Sequence, residues 1–303
     1  MTVPVAVLGI GGVGGVLAAR TGALCVGTER TVAAIRGSGL ALVHGETTTV
    51  AHPEAVERLE TPVGLLVVAV KAHDLDDALD RIAPEALAGA VVLPLLNGLD
   101  HVEAIRARFE ARADSPDARP AVLAGSIGRL EAFSPEPGVV VQRSARSALV
   151  NAASGELDQP ALDAALEPLR VPGVDVVLGD DERAVLWEKA ARLAALAAAT
   201  VASGLAVGPL RADEAWSARI MEALREACAV AAADGVALDA AAQWAIIEAM
   251  PDDLTTSAAR DAASGRPTEL DAITGSVVRA GARLGVPTPA LASLLEEAAC
   301  RAR

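Results

Sequence analysis

The stretch V5-A-V-L-G9-I10-G11-G12-V13-G14-G15 decides the fold of this chain. The apolar run Val3–Leu8 predicts a strand and Gly11–Arg20 predicts an amphipathic helix, so the glycines lie in a strand-to-helix turn. In such a turn the first glycine permits the sharp bend, the second lets the backbone approach a pyrophosphate, and the third allows close helix–strand packing. The helix N-terminus then offers free N–H groups to phosphates. We therefore predict a dinucleotide site formed by Gly9, Ile10, Gly11, Gly12, Val13 and Gly14.

Strands and helices alternate through the first half of the chain. Further strands are predicted at Ala23–Gly27, Gly64–Val70 and Ala90–Leu95, and further helices at Thr31–Arg36, Asp74–Ile82 and Asp100–Phe109. Buried Val- and Leu-rich strands that alternate with helices are typical of a doubly wound parallel sheet.

A later part of this half lacks helices between its strands. We expect antiparallel strands at Val122–Leu130, Gly138–Val141 and Ser147–Val150, followed by a helix at Asp158–Leu166 and a strand at Val174–Leu178.

The pattern becomes helical after Gly179. Gly, Pro and capping residues delimit helices at Glu182–Leu205, Asp213–Asp234, Asp239–Glu248, Thr268–Leu284 and Thr288–Arg301. The sequence therefore predicts an α/β fold with two domains: a Rossmann-type dinucleotide-binding domain at 1–178 and an all-α substrate domain at 179–303.

Composition excludes several classes of function. A net charge of −14 over 303 residues argues against a nucleic-acid surface, which needs clustered Lys and Arg. No apolar run reaches the ~18 residues of a membrane helix, and no basic region marks a signal peptide. Cys25, Cys228 and Cys300 are far apart, which excludes a disulfide framework and a cysteine zinc site. We expect a cytoplasmic protein with no metal, no membrane and no nucleic-acid partner.

Two lysines stand out against the composition. Of the 26 basic residues only Lys71 and Lys189 are lysines, and Asn97 is one of two asparagines. Where arginine is so strongly preferred, a lysine is retained where a compact ammonium with a movable pKa is needed. Lys71 and Asn97 each follow a predicted strand directly, and ligands of parallel sheets bind at those strand ends.

Several motifs resemble those of the ketopantoate reductase family. These are the glycine loop, V-K71-A-H-D, L-L-N97-G98, W187-E-K189 and T256-S257-A-A-R-D261, which is followed by G265-R-P-T-E269-L-D271. They occur in the family's order and span essentially the whole chain.

The resemblance implies a reductase that uses NADPH to convert a 2-oxo acid, such as 2-dehydropantoate, to a 2-hydroxy acid. It implies that Lys189 is the proton donor, that Asn97 contacts both nicotinamide and substrate, and that Ser257 binds substrate. Lys71 matches a cofactor-binding lysine, and Glu269 matches a glutamate near the cofactor and the lysine.

The substrate helix departs from the family pattern. Leu193 and Ala197 stand where the family has asparagines, and neither can hydrogen-bond a hydroxyl or carboxylate. Arg192, Thr200 and Ser203 lie on nearly the same helix face as Lys189 and offer replacement polar groups. A different ketone or an imine as substrate, and a cofactor-binding protein without catalysis, therefore remain alternatives.

The sequence leaves two further points open. These are whether the cofactor carries a 2′-hydroxyl or a 2′-phosphate, and the oligomeric state. Glu29 has the spacing from Gly9 that favours the ribose hydroxyls of NAD, whereas Arg30 favours the 2′-phosphate of NADP. The family likeness favours NADP through Arg30. Apolar Ala/Leu helix faces often pair, so we expect a homodimer, and the other partner is a small-molecule substrate.

Overall fold

The glycine loop follows the first strand of a parallel sheet in the computed structural model, which describes residues 4–112 and 119–303. In chain order the strands are β1 (Val5–Leu8), β2 (Leu24–Val26), β3 (Leu40–His44), β4 (Thr47–Ala51), β5 (Ala55–Val56), β6 (Leu65–Val68), β7 (Val91–Pro94), β8 (Ala121–Val122), β9 (Ala124–Gly128), β10 (Ala132–Glu136), β11 (Val139–Gln142), β12 (Ala148–Ala153) and β13 (Val174–Leu178). Six of them pair in parallel in the order β5-β2-β1-β6-β7-β8. Because β1 is interior, the turn that follows it opens at the middle of the sheet's carboxyl edge.

Helices alternate with strands in the first part of the chain and predominate after β13. They are α1 (Gly12–Thr21), α2 (Glu29–Ser38), α3 (Leu75–Leu79), α4 (His101–Arg112), α5 (Gln159–Leu166), α6 (Glu182–Ser203), α7 (Val207–Ala212), α8 (Glu214–Ala233), α9 (Ala240–Glu248), α10 (Ser257–Ala263), α11 (Ser276–Leu284) and α12 (Pro289–Arg301). Across residues 4–112 and 119–303, none of the helices combines the length and the apolar character needed to cross a bilayer.

The predicted fold class, a Rossmann-type sheet followed by an all-α region, is confirmed. The four predicted parallel strands are present as β1, β2, β6 and β7; Val3, at the start of the first prediction, lies outside the described residues. The helix predicted at Asp74–Ile82 is shorter, since a 3₁₀ turn at Ala72–Asp74 precedes α3.

The antiparallel prediction for the later strands is only partly correct. β9 is antiparallel to β12, as expected. β10, a strand that the sequence did not predict, is antiparallel to β11. However, β11 pairs in parallel with β3, and β12 pairs in parallel with β13. The partner β3 belongs to a hairpin with β4 that the sequence did not reveal. Nearly all of β4 is exposed, so it lacks the alternation of apolar and polar residues that marks a half-buried strand.

The described chain divides into two compact units. The first runs to Leu96 and continues over His101–Val185, and the second comprises Asn97–Asp100 with Leu186–Arg303. The sequence placed the change at 178/179, whereas here it falls after Val185, within α6. The short segment Asn97–Asp100 follows β7 in the chain but packs with the helical unit.

The helical unit is organised around α6. Its Ala190 and Ala191 are almost fully buried, and small side chains of this kind let neighbouring helices approach closely. Trp187 is also fully buried, and its indole Nε1 donates a 2.8 Å hydrogen bond to Oδ2 of Asp234, just past α8. This bond and the surrounding apolar contacts fix the first turns of α6, from which Lys189 projects.

Candidate active site

The turn after β1 is shaped by its glycines. Gly9 has φ +93°, a left-handed conformation, and a Cβ there would lie 2.5 Å from Cγ1 of Val70. A Cβ on Gly14 would lie 1.9 Å from the carbonyl oxygen of Gly9, a separation that only glycine permits. A Cβ on Gly11, by contrast, would have no described protein atom within 4 Å. The backbone at Gly11 therefore faces open space that a ligand can enter.

The remaining loop residues contribute backbone rather than side chains. Ile10 is buried in the core and Val13 packs partly against it. A Cβ on Gly12 would lie 2.4 Å from the carbonyl oxygen of Ala132, a close approach that no sequence pattern indicates.

The N-terminus of α1 is free to bind an anion. Gly11 is its N-cap, none of the side chains in residues 4–112 and 119–303 caps it, and the first turn contains no acidic residue. The first N–H groups of a helix lack intrahelical partners and carry the positive end of its dipole. This arrangement fits the pyrophosphate of a dinucleotide. Lys71, half-buried, follows β6, the strand that pairs directly with β1.

The two residues proposed to bind the 2′ group of the cofactor, Glu29 and Arg30, follow β2. Thr28 caps α2, its Oγ1 accepting a hydrogen bond from the N–H of Thr31, so Glu29 and Arg30 lie in the first helical turn. Both side chains are exposed. Nearby, Nη1 of Arg81 lies 3.5 Å from the carbonyl oxygen of Gly27 and adds a second cation that the sequence did not indicate.

Lys189 has an unusual environment in the helical unit. Burial lowers the pKa of Lys189 from 10.5 to about 8; the carboxylate of Glu269 opposes this shift and the guanidinium of Arg192 adds to it. Glu269 is only 9% exposed. The two residues are 80 positions apart in the sequence, and the fold brings them within electrostatic reach. A lysine with such a pKa can donate a proton near neutral pH.

Glu269 precedes an irregular helical turn. The sequence predicts one helix over Thr268–Leu284, but Asp271–Gly275 forms a π-helical turn before α11. The buried hydroxyl of Thr274 donates a 2.8 Å hydrogen bond to the carbonyl oxygen of Ala194 on α6. Single π turns are frequent at functional sites. This one attaches the Glu269 segment to the helix of Lys189.

The Asn97 segment is fastened to the same π turn. Gly98 has φ +93°, and a Cβ there would lie 1.9 Å from the carbonyl oxygen of Ala272. Arg279 on α11 donates from Nη2 to Oδ2 of Asp100 at 2.8 Å and from Nη1 to Oδ1 of Asp271 at 2.8 Å. Asn97, half-buried, is therefore held in the unit that contains Lys189 and Glu269. Arg279 and Asp100 are 179 residues apart, so no local pattern could have revealed their pairing.

Ser257 occupies the exposed start of α10. The preceding residue, Thr256, is buried and caps this helix through Oγ1. The same oxygen lies 2.7 Å from the hydroxyl oxygen of Thr200 on α6. At the other end of the motif, Arg266 donates from Nε to Oδ1 of Asp261 at 2.9 Å. The motif therefore fixes the backbone of α10 while the Ser257 side chain points outward.

The polar residues of α6 that could replace the family's asparagines differ in how their hydrogen-bonding groups are already used. Thr200 already contacts Thr256 and two backbone carbonyls, and the hydroxyl of Ser203 donates to the carbonyl oxygen of Ala199. Arg192 donates to Oε1 of Gln243 on α9 through one nitrogen only. The buried Gln243 was not anticipated, because a single glutamine in a helix that is apolar up to its final residue, Glu248, carries no positional signal.

Comparison with known proteins identifies the family of this chain. The family profile described as Ketopantoate reductase PanE/ApbA matches residues 5–155, and that described as Ketopantoate reductase PanE/ApbA C terminal matches residues 181–300. A 2-dehydropantoate 2-reductase of Caulobacter vibrioides is 30% identical over an alignment of 306 positions, which covers 96% of each chain.

Solved structures agree with these matches. A PanE/ApbA family ketopantoate reductase from Ralstonia eutropha JMP134 superposes with a TM-score of 0.82 at 27% identity and covers 99% of this chain and 98% of that one. A ternary structure of D-mandelate dehydrogenase with NADH and anilino(oxo)acetate shares the fold, with a TM-score of 0.84 at 23% identity. The match covers 99% of this chain and 98% of that one. The chain is an oxidoreductase that belongs to the ketopantoate reductase family.

Proposed function

We propose that this protein is a nicotinamide-dependent reductase that converts the keto group of a 2-oxo acid to a hydroxyl group, with Lys189 as the proton donor. The observation that carries the proposal is the environment of Lys189, whose pKa is lowered to about 8 by burial, close to Glu269. A cofactor-binding protein without catalysis would not need a lysine with that pKa.

The chain's own residues supply the acid chemistry. When bound, the nicotinamide supplies a hydride to the carbonyl carbon of the substrate. As negative charge develops on the ketone oxygen, the ammonium of Lys189 donates a proton to it and becomes a neutral amine. Glu269 favours the charged form of Lys189 before transfer. In this proposal the side chains of Asn97 and Ser257 hydrogen-bond the substrate, and Asn97 also contacts the cofactor.

The substrate is a 2-oxo acid with an apolar rather than a hydroxylated side chain. Leu193 is half-buried and Ala197 is fully buried, and both replace hydrogen-bonding positions of the family. The fold neighbour D-mandelate dehydrogenase binds anilino(oxo)acetate, a 2-oxo acid derivative with an aromatic group. Its ligand supports a preference for apolar substituents.

A panel of carbonyl substrates tests the proposal. We expect oxidation of NADPH, followed by absorbance, with unbranched, branched and aromatic 2-oxo acids, and a lower kcat/KM for 2-dehydropantoate. Each charge-assisted hydrogen bond that is lost costs about 1.5–3 kcal/mol, or roughly 10–150-fold. The highest kcat/KM for 2-dehydropantoate would contradict the apolar assignment. Turnover only of imines or uncharged ketones would contradict the 2-oxo acid class.

The cofactor in this proposal is NADPH, held by the glycine loop and Lys71, with Arg30 at the 2′-phosphate. Arg30 lies in the first turn of α2 and is exposed, so its guanidinium can reach a phosphate near that helix start. We expect Arg30→Ala to raise the KM for NADPH several-fold and to leave that for NADH nearly unchanged. A wild-type enzyme that prefers NADH would instead make Glu29 the ribose ligand.

A further inference from the structure

Arg192 lies one turn after Lys189 on α6 and has an uneven set of contacts. Its Nη1 donates a 2.6 Å hydrogen bond to Oε1 of Gln243 and a 3.2 Å hydrogen bond to the carbonyl oxygen of Glu188. Both bonds use the same nitrogen. Among the residues that the structure describes, none accepts a hydrogen bond from Nε or Nη2 of Arg192. One complete edge of the guanidinium is therefore left for a ligand.

The charge of Arg192 is not balanced by a nearby acid. No carboxylate in residues 4–112 or 119–303 lies within 4.0 Å of its nitrogens, and the exposed Glu188 acts only at longer range. Other partly buried arginines differ: Arg106 and Arg108 each pair with two carboxylates at 3.0 Å or less. Burial of a cation without a partner is unfavourable, and an anionic ligand removes that cost.

We propose that the Nε–Nη2 edge of Arg192 binds the carboxylate of the substrate. The inference rests on the proposed function, and it identifies the group that distinguishes a 2-oxo acid from other ketones. Two parallel N–H donors match the two oxygens of a carboxylate, a geometry that lysine or a hydroxyl cannot reproduce.

The spacing along α6 suits such a substrate. Side chains three residues apart on a helix are neighbours, with Cβ atoms about 5–6 Å apart. In a 2-oxo acid the carboxylate carbon is bonded directly to the ketone carbon, so one small molecule spans both groups. Its carboxylate meets Arg192 while its ketone oxygen meets the ammonium of Lys189.

Gln243 is the positioning residue in this arrangement. It is 7% exposed, and its amide oxygen holds Nη1, which fixes the guanidinium plane and directs the opposite edge away from α9. Gln243→Leu should therefore raise KM for the acid more than it lowers kcat.

The test uses the full-length enzyme with NADPH and compares the best 2-oxo acid of the panel with its methyl ester. The wild type should prefer the acid. Arg192→Gln should lower kcat/KM for the acid by about 100-fold and change that for the ester by less than about threefold. Arg192→Lys should restore only part of the loss, since an ammonium cannot bind in the bidentate manner. Arg225→Gln, at an exposed arginine on α8 that pairs with Glu222, is the matched control and should change neither value.

Two results would overturn the inference while the proposed function stands. These are unchanged kcat/KM for the acid in Arg192→Gln, and equal losses on acid and ester in a variant with wild-type circular dichroism. If Arg192→Gln does not fold, Arg192→Lys and Gln243→Leu carry the same acid–ester comparison. A wild type that reduces esters but no 2-oxo acid would overturn the proposed function itself.

Discussion

At the residue scale, the proposed chemistry depends on the proton of one lysine. Lys189 can act as an acid near neutral pH because burial lowers its pKa to about 8. Glu269 and Arg192 act on that pKa in opposite directions, the carboxylate raising it and the guanidinium lowering it. In the proposed reaction, burial and these two charges together set the pH range in which Lys189 can donate its proton.

This arrangement predicts a pH dependence with a defined sign. Reduction needs protonated Lys189, so kcat/KM should be constant below about pH 8 and fall tenfold per pH unit above it. Oxidation of the 2-hydroxy acid needs the neutral amine and should show the opposite profile. In Glu269→Gln the break for reduction should move to lower pH, because the charge that raises the pKa is lost. A break that moves to higher pH in this variant would contradict the assigned interaction.

At the scale of elements, a loop and a π turn determine where Asn97 lies. Gly98 lies so close to the carbonyl oxygen of Ala272 that a side chain cannot be placed there. Arg279 also bonds to Asp100 of the loop and to Asp271 of the π turn. The segment is therefore held by backbone contact and by charge.

Gly98→Ala tests the importance of this contact. Its Cβ would lie 1.9 Å from the carbonyl oxygen of Ala272, so the loop must move. Gly285→Ala is the matched control, because Gly285 also has positive φ, +73°, but nothing described within 4 Å of its Cβ position. The control should lose about 1–2 kcal/mol of unfolding free energy from backbone strain. Gly98→Ala should lose more and should also lower kcat; equal losses with unchanged kcat would show that the contact is unimportant.

Local patterns predicted most elements because they depend on neighbouring residues. Capping residues marked helix starts well: Asp213 and Asp239 cap α8 and α9, each accepting a hydrogen bond from a backbone N–H. The hairpin β3–β4 and the π turn were missed, since the first lacks a buried face and the second is set by tertiary contacts such as Thr274 with Ala194.

At the scale of the whole molecule, the two units carry different sets of the proposed functional residues. The first unit has the glycine turn and the free N-terminus of α1, which suit a dinucleotide. The second unit has Lys189, Glu269 and Asn97, which suit a carbonyl group. Motif spacing and lysine scarcity indicated most of these residues. The partners Arg279 and Gln243 could not be found from sequence, because their contacts join segments distant in the chain.

Lys189→Ala tests whether Lys189 donates the proton in a nicotinamide-dependent reduction. The measurement is single-turnover reduction of the best 2-oxo acid at pH 7, beside a fluorescence titration with NADPH. Loss of a general acid typically lowers the rate by about 10²–10⁴-fold. We predict a loss of that size with nearly unchanged NADPH affinity, because the glycine turn belongs to the other unit. A variant that keeps half of the wild-type rate would contradict the account.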